Sequence, residues 1–189
     1  MSSRADPSHD GFAAAVELDL EPERLSSRAG PSHWTWRSGP IKGGPAVIVD
    51  VDGVISDAGH RQHLARDRRW NEFFDGCPQD PPLEVSIALV RSLAPDIAVV
   101  LLTARPWRLL PGTVAWLDTH RVRWDLLVLR PPNHAGSSRD YKATEVENLR
   151  HHGFNLLYAL EDDPRNVKMY TEAAVPCLYI HSGYYDSTN

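Results

Sequence analysis

Pro45-Ala-Val-Ile-Val-Asp50-Val-Asp52-Gly53 is the stretch on which the reading of this chain turns. An apolar, β-branched run ends in two carboxylates one residue apart, followed by glycine. Apolar runs of this length, bounded by turn residues, read as parallel strands buried on both faces. A buried strand cannot hide two acidic side chains cheaply, so Asp50 and Asp52 are expected to emerge at its C-terminal end. Open α/β sheets place their ligand sites at those ends. A carboxylate there can hold a metal ion or attack phosphorus. Asp-Gly is also common turn chemistry, and the pair taken alone leaves a solvated turn and a reactive site equally open.

From residue 45 onward, strand and helix patterns alternate. The strands are expected at Ala46–Val51, Ile97–Leu102, Leu126–Leu129, Leu156–Leu160 and Cys177–Ile180. The helices fall between them, at Leu83–Leu93, Pro111–His120, Asp140–His152 and Pro164–Ala174. Pro111 and Pro164 suit a first helical turn, and Gly153 suits a helix end. Such alternation predicts an α/β fold: a three-layer Rossmann-like sandwich around a parallel sheet of about five strands. Residues 54–82 interrupt the alternation and are expected to form a small flap over the strand ends. Residues 45–189 are thus read as one domain.

Residues 1–44 are rich in Ser, Arg, Gly and Pro and are expected to be disordered or loosely attached. Ser2-Ser-Arg-Ala-Asp-Pro-Ser-His9 returns there as Ser26-Ser-Arg-Ala-Gly-Pro-Ser-His33, too few copies for a solenoid. Ala13–Leu20 fits a short helix, and Trp34 and Trp36 could dock on the domain. Ser38-Gly-Pro-Ile-Lys-Gly-Gly44 lacks the order of a phosphate loop and precedes a strand rather than a helix, which rejects it as a nucleotide site.

The chain has 189 residues, room for one domain plus a tail. Its net charge of −5 gives no global basic signal for nucleic acid, although a local basic groove would suffice. Two cysteines far apart, Cys77 and Cys177, read as reduced thiols. With no membrane-length apolar run and no signal-peptide pattern, the expectation is a cytoplasmic protein without a membrane partner.

The other strand ends add charged groups. Thr103-Ala-Arg105 follows the second strand, and hydroxyl and guanidinium groups hold phosphoryl oxygens. An N-cap threonine with a surface arginine explains the same residues if they stand alone. Arg130 ends the third strand, and Lys142 follows a polar loop. Glu161-Asp162-Asp163 ends the fourth, and three acids there repel one another unless a cation sits among them. Mg²⁺ takes such carboxylates together with phosphate.

The order of acid pair, Thr-x-Arg, Lys and acidic cluster, each after its own strand, resembles the haloacid dehalogenase-like (HAD) superfamily over residues 45–185. Thr103-Ala-Arg105, Leu129-Arg-Pro131 and Leu160-Glu-Asp-Asp-Pro-Arg-Asn-Val-Lys-Met169 are most similar to the phosphatase domain of polynucleotide kinase/phosphatase and its stand-alone phage-type relatives. The resemblance implies a Mg²⁺-dependent phosphomonoesterase working through an aspartyl-phosphate. Asp50 would be nucleophile and metal ligand, and Asp52 general acid/base with its backbone carbonyl at the metal. Thr103 would hold the phosphoryl group, Arg105 and Arg130 would grip phosphate or substrate, and Lys142 would neutralise the intermediate. Glu161 and Asp162, or by another alignment Asp162 and Asp163, would complete the metal site.

The chain departs from the family pattern at Val54, where threonine is usual, and at Glu161, where Asp is commoner. Lys142 also follows Asp140 unusually closely, and no residues that would support a 5′-kinase activity are read in this sequence. The implied substrates are phosphorylated nucleic-acid 3′ ends. A phosphatase of free nucleotides or other small phosphoesters is the alternative, and a catalytically silent HAD-like binding module is a third reading. Arg61, Arg66, Arg68 and Arg69, with His60, His63 and Trp70, mark the flap either as a nucleic-acid guide or as a solvated helix face. The tail Ser182-Gly-Tyr-Tyr185 resembles the end of the phage-type relatives, and no role is read for it.

Overall fold

The computed structural model describes residues 30–186 apart from 133 and 135. The Ala13–Leu20 helix and the first copy of the internal repeat lie outside the described residues. Six strands form one sheet in the order β1-β4-β3-β2-β5-β6. They are β1 (Trp34–Trp36), β2 (Gly44–Val49), β3 (Ala98–Pro106), β4 (Leu126–Arg130), β5 (Phe154–Glu161) and β6 (Cys177–Tyr179). β2 to β6 pair in parallel, and β1 runs antiparallel at the edge beside β4. Helices α1 (Gln62–Arg66) and α2 (Trp70–Asp75) precede α3 (Glu84–Arg91), α4 (Leu110–Thr119), α5 (Ser138–His151) and α6 (Pro164–Glu172).

The strands alternate their side chains between two apolar cores, as the period of a pleated strand requires. Ala46, Ile48, Val100 and Leu102 pack on one face with Tyr141, Val146 and Leu149 of α5 and Met169 and Tyr170 of α6. Val47, Val49, Val99 and Leu101 pack on the other with Ile87 and Val90 of α3 and Trp116 and Leu117 of α4. No helix among the described residues is long and apolar enough to cross a membrane. Cys77 and Cys177 are both free thiols.

The sheet has one strand more than expected, and that strand comes from the segment expected to be loosely attached. Trp34 is only 6% exposed and packs in the first core. Its indole Nε1 donates to Glu145 Oε2 at 2.8 Å, and His33 Nε2 lies 2.9 Å from Glu145 Oε1. Trp36 stacks on Phe154. A three-residue strand carries little periodicity, so its burial is a product of the partner surface. Residues 54–82 fold into α1, α2 and short 3₁₀ turns, with Ser56 bridging Asp52 and Pro82.

Candidate active site

The chain leaves β2 to build β3 and β4 on one side, then crosses to β5 on the other. That reversal opens a crevice at the strand C-termini, where ligands of open α/β sheets bind. Asp50 sits at this point, its N–H donating to Leu160 O of β5 at 3.0 Å. Gly53 turns the chain just beyond, with φ of 85°. A Cβ at residue 53 would lie 1.9 Å from Asp162 Oδ2, so both the turn and the close approach of Asp162 need glycine.

Asp50 joins a buried cluster. Lys142 Nζ lies 2.8 Å from Asp50 Oδ2 and 2.7 Å from Glu161 Oε2. Asp50, Glu161 and Asp162 each offer an oxygen, all within 4.8 Å of one another. Burial and the neighbouring Glu161 push the Asp50 carboxyl well above the usual range, against the pull of Lys142. Burial, with the Asp50 charge, pushes Asp162 up to about 7. Burial disfavours the Lys142 charge, but Asp50 and Glu161 outweigh it and hold its pKa well above the usual value. Asp162 Oδ2 is buried and has no hydrogen-bond partner among the described residues. Three carboxylates around one ammonium carry an excess of two negative charges when all are ionised. This hard oxygen donor set, with an orphaned carboxylate oxygen, fits Mg²⁺.

The two alignments of the acidic run are separated by geometry. Asp163 caps α6, accepting from Arg165 N at 2.9 Å, and its carboxylate also accepts from the Arg165 guanidinium. Glu161 and Asp162 are the pair beside Asp50. Glu161 is anchored at both oxygens, Oε2 by Lys142 and Oε1 by the Asp163 N–H at 3.1 Å.

Asp52 belongs to a second network. Arg105 Nη2 donates to Asp52 Oδ1 at 2.7 Å, and Arg61 Nη2 donates to the same oxygen. Both guanidiniums also reach Asp80, Arg61 through Nε at 2.8 Å and Arg105 through Nη2 at 3.2 Å. Ser56 Oγ donates to Asp80 Oδ2 at 2.5 Å, and His60 Nε2 lies 2.9 Å from Asp80 Oδ1. The Arg61 guanidinium also lies over the Phe73 ring at 4.1 Å. Burial works to raise the Asp52 pKa, but Arg105 and Arg61 overcome it and hold the carboxyl down at about 2.

Several expected positions are placed differently. Arg105, expected to grip phosphate, is buried and turned to Asp52, Ser56 and Asp80, although its Nη1 has no partner among the described residues. Arg61, grouped by sequence with the surface arginines, is 1% exposed. Arg130 Nη2 donates to Gly136 O and braces the loop after β4 instead of reaching the cavity. Thr103 is fully buried within β3, which continues to Pro106, and its hydroxyl accepts from Arg105 N at 3.2 Å. Arg66, Arg68 and Arg69 are exposed, and Arg69 pairs with Glu72.

Asp50 and Asp52 open into a cavity of about 200 Å³. Trp70, Phe73 and Phe74 of α2 line one side, and Tyr184 and Tyr185 line another. Trp70 is 51% exposed, so it is a cavity wall rather than a core residue. The tail that had no assigned role is held in place by Tyr184, whose hydroxyl donates to Asp57 Oδ1 at 2.6 Å. Sequence reasoning also missed Asp80. It sits before Pro81-Pro82 in an irregular turn, where an acid reads as turn chemistry, and no periodicity marks it.

No protein-family model and no curated protein matches the chain. Among solved structures, it overlays on a chain of the Pnkp1/Rnl/Hen1 complex with a TM-score of 0.60 and 22% identity, covering 72% of this chain and 46% of that one. A chain of the Pnkp1/Rnl/Hen1 RNA repair complex gives a TM-score of 0.57 at 21% identity, covering 78% and 45%. The HAD domain of the effector protein Lem4 from Legionella pneumophila is a looser likeness, with a TM-score of 0.43 at 13% identity over 76% and 89%. The chain spans less than half the length of the two Pnkp1/Rnl/Hen1 chains it overlays on. At these identities the likeness to the two complexes establishes a shared fold, and the chemistry rests on the residues of this chain.

Proposed function

We propose that this chain is a HAD-like phosphomonoesterase that works through a phosphorylated Asp50 and acts on nucleic-acid 3′ ends. The observation that carries the reading is the buried Asp50–Lys142–Glu161 contact, with Asp162 beside it, at the crevice where the sheet reverses. The fold shared with part of an RNA repair complex supports a nucleic-acid end as substrate. The aromatic wall of Trp70, Phe73 and Phe74 supports it too, because base stacking on aromatic faces tolerates any sequence.

A carboxylate oxygen of Asp50 attacks phosphorus while the ester P–O bond breaks, and the leaving alkoxide takes up a proton. Water then attacks phosphorus on phospho-Asp50, releasing inorganic phosphate and restoring the carboxylate. Lys142 keeps a fixed positive charge against the reacting group in both steps. Asp52 reaches the same cavity, and its two guanidinium partners favour its ionised form. That form suits withdrawal of a proton from the attacking water. Donating a proton in the first step requires Asp52 to be protonated against Arg61 and Arg105. Asp50, Glu161 and Asp162 are the residues that would hold Mg²⁺, which when bound offsets charge on the phosphoryl oxygens.

The test is phosphate release, with Mg²⁺ present, from 3′- and 5′-phosphorylated oligonucleotides, mononucleotides and sugar phosphates. The expected result is the highest kcat/KM on 3′-phosphorylated ends. Faster turnover of mononucleotides or sugar phosphates overturns the substrate assignment. No release from any substrate overturns the phosphatase.

A further inference from the structure

A second cavity, of about 390 Å³, adjoins the first and shares Ser138, Asp163, Arg165 and Asn166 with it. It runs between the first turns of α5 and α6, and Arg139 and Lys168 complete its basic lining. Arg165 pairs with Asp163 at 2.7 Å, Arg139 with Glu172 at 2.6 Å, and Lys168 lies 3.9 Å from Glu172. Three cations therefore face two carboxylates, and the groove keeps a positive excess. Asn166 is the independent sign of a ligand. It is 2% exposed, it lines both cavities, and its Oδ1 has no hydrogen-bond partner among the described residues. A buried amide oxygen without a donor is costly unless a ligand hydroxyl supplies one. A sugar hydroxyl beside a phosphate meets both demands of this junction.

We infer that this groove is a subsite for the phosphodiester and sugar next to the reacting end, so that the enzyme distinguishes a polymer end from a mononucleotide. The inference rests on the phosphatase reading and adds to it the path of the chain. It also moves the polymer contacts from the arginines expected by sequence, of which Arg61 and Arg105 are buried, to Arg139, Arg165 and Lys168.

The test compares a 3′-phosphorylated mononucleotide, which has only the reacting phosphate, with a 3′-phosphorylated dinucleotide, which adds one phosphodiester. Arg139→Glu and Lys168→Glu are suitable variants because those side chains are 47% and 76% exposed, so the fold does not depend on them. Each reversal should raise the dinucleotide KM about tenfold, and the mononucleotide KM by less than about twofold. Equal shifts for both substrates, or none, overturn the subsite. A second measurement needs no turnover: binding of a fluorescently labelled 3′-phosphorylated dinucleotide should weaken in both variants and weaken further with added salt. Unchanged binding overturns the subsite whether or not the phosphatase reading stands, and absence of phosphate release overturns the phosphatase reading alone.

Discussion

Two acidic side chains one residue apart on the same strand end enter opposite electrostatic situations. Asp52 meets Arg61, Arg105 and Asp80, two cations and two anions that balance one another. Asp50 meets Lys142, Glu161 and Asp162, where anions outnumber the cation. The balanced network pairs each of its charges with an opposite one, and it holds the Asp52 carboxyl at about 2. The unbalanced cluster leaves Asp162 at about 7 and Asp162 Oδ2 without a partner among the described residues. A closed network fixes geometry, and an open one stores a demand for positive charge. The difference separates a carboxylate held ionised by its partners from a cluster that lacks a cation.

The largest expected effect falls on the open cluster. Asp50→Asn should cut turnover by roughly 10⁴-fold or more while the circular dichroism spectrum stays native, because an amide is a poor nucleophile. Chelation with EDTA should abolish phosphate release by the wild-type protein as well. Residual activity near wild type in either case removes the covalent, metal-assisted reading.

Asp52→Asn should slow the reaction by about 10²–10⁴-fold. With Asp52 acting as base, hydrolysis of phospho-Asp50 is the step that suffers most, and the variant should accumulate phosphoenzyme in a burst measurement. Absence of a burst, together with a loss confined to poor leaving groups, would assign Asp52 to the acid role instead.

Asp80 probes the closed network. Asp80→Ala leaves two buried guanidiniums short of a partner and should cost about 3–5 kcal/mol in urea unfolding. Unchanged stability would show that the network does not brace the fold.

The smallest effect concerns Asp162 in metal-free protein. A carboxyl whose folded pKa is raised costs stability as pH rises from its unfolded value near 4 through about 7. Asp162→Asn in EDTA should therefore melt a few degrees above wild type at pH 8 and level with it near pH 4. Added Mg²⁺ should raise the melting temperature of the wild type only. A variant that melts lower than wild type at pH 8 contradicts the surplus of negative charge.

Much of the frame was legible because it is carried by local pattern. The apolar runs at Ala46–Val49 and Leu126–Leu129 needed only side-chain periodicity and burial. Pro164 marked the start of α6, whereas α5 starts two residues before the expected Asp140, because Ser137 and Asp140 form a capping box. The charged groups at strand ends were legible for the same reason: a buried strand must release them at its end. Trp34–Trp36 was not legible as a strand, since three residues show no period and their burial depends on β4, Phe154 and Glu145.

The sequence by itself determined the alternating α/β order and the strand ends at which Asp50 and Glu161 appear. Tertiary structure alone decided which charges meet. Arg61 and Asp80 lie 19 residues apart, and Arg105 lies 53 from Asp52, yet all four close one network. Whether Glu161 or Asp163 lies with Asp162 beside Asp50 was likewise decided across the fold, because Asp163 caps α6 and Glu161 faces Asp50. Periodicity and propensity act between neighbours along the chain, whereas the pairing of buried charges is set by distances across the fold, and no local pattern encodes those.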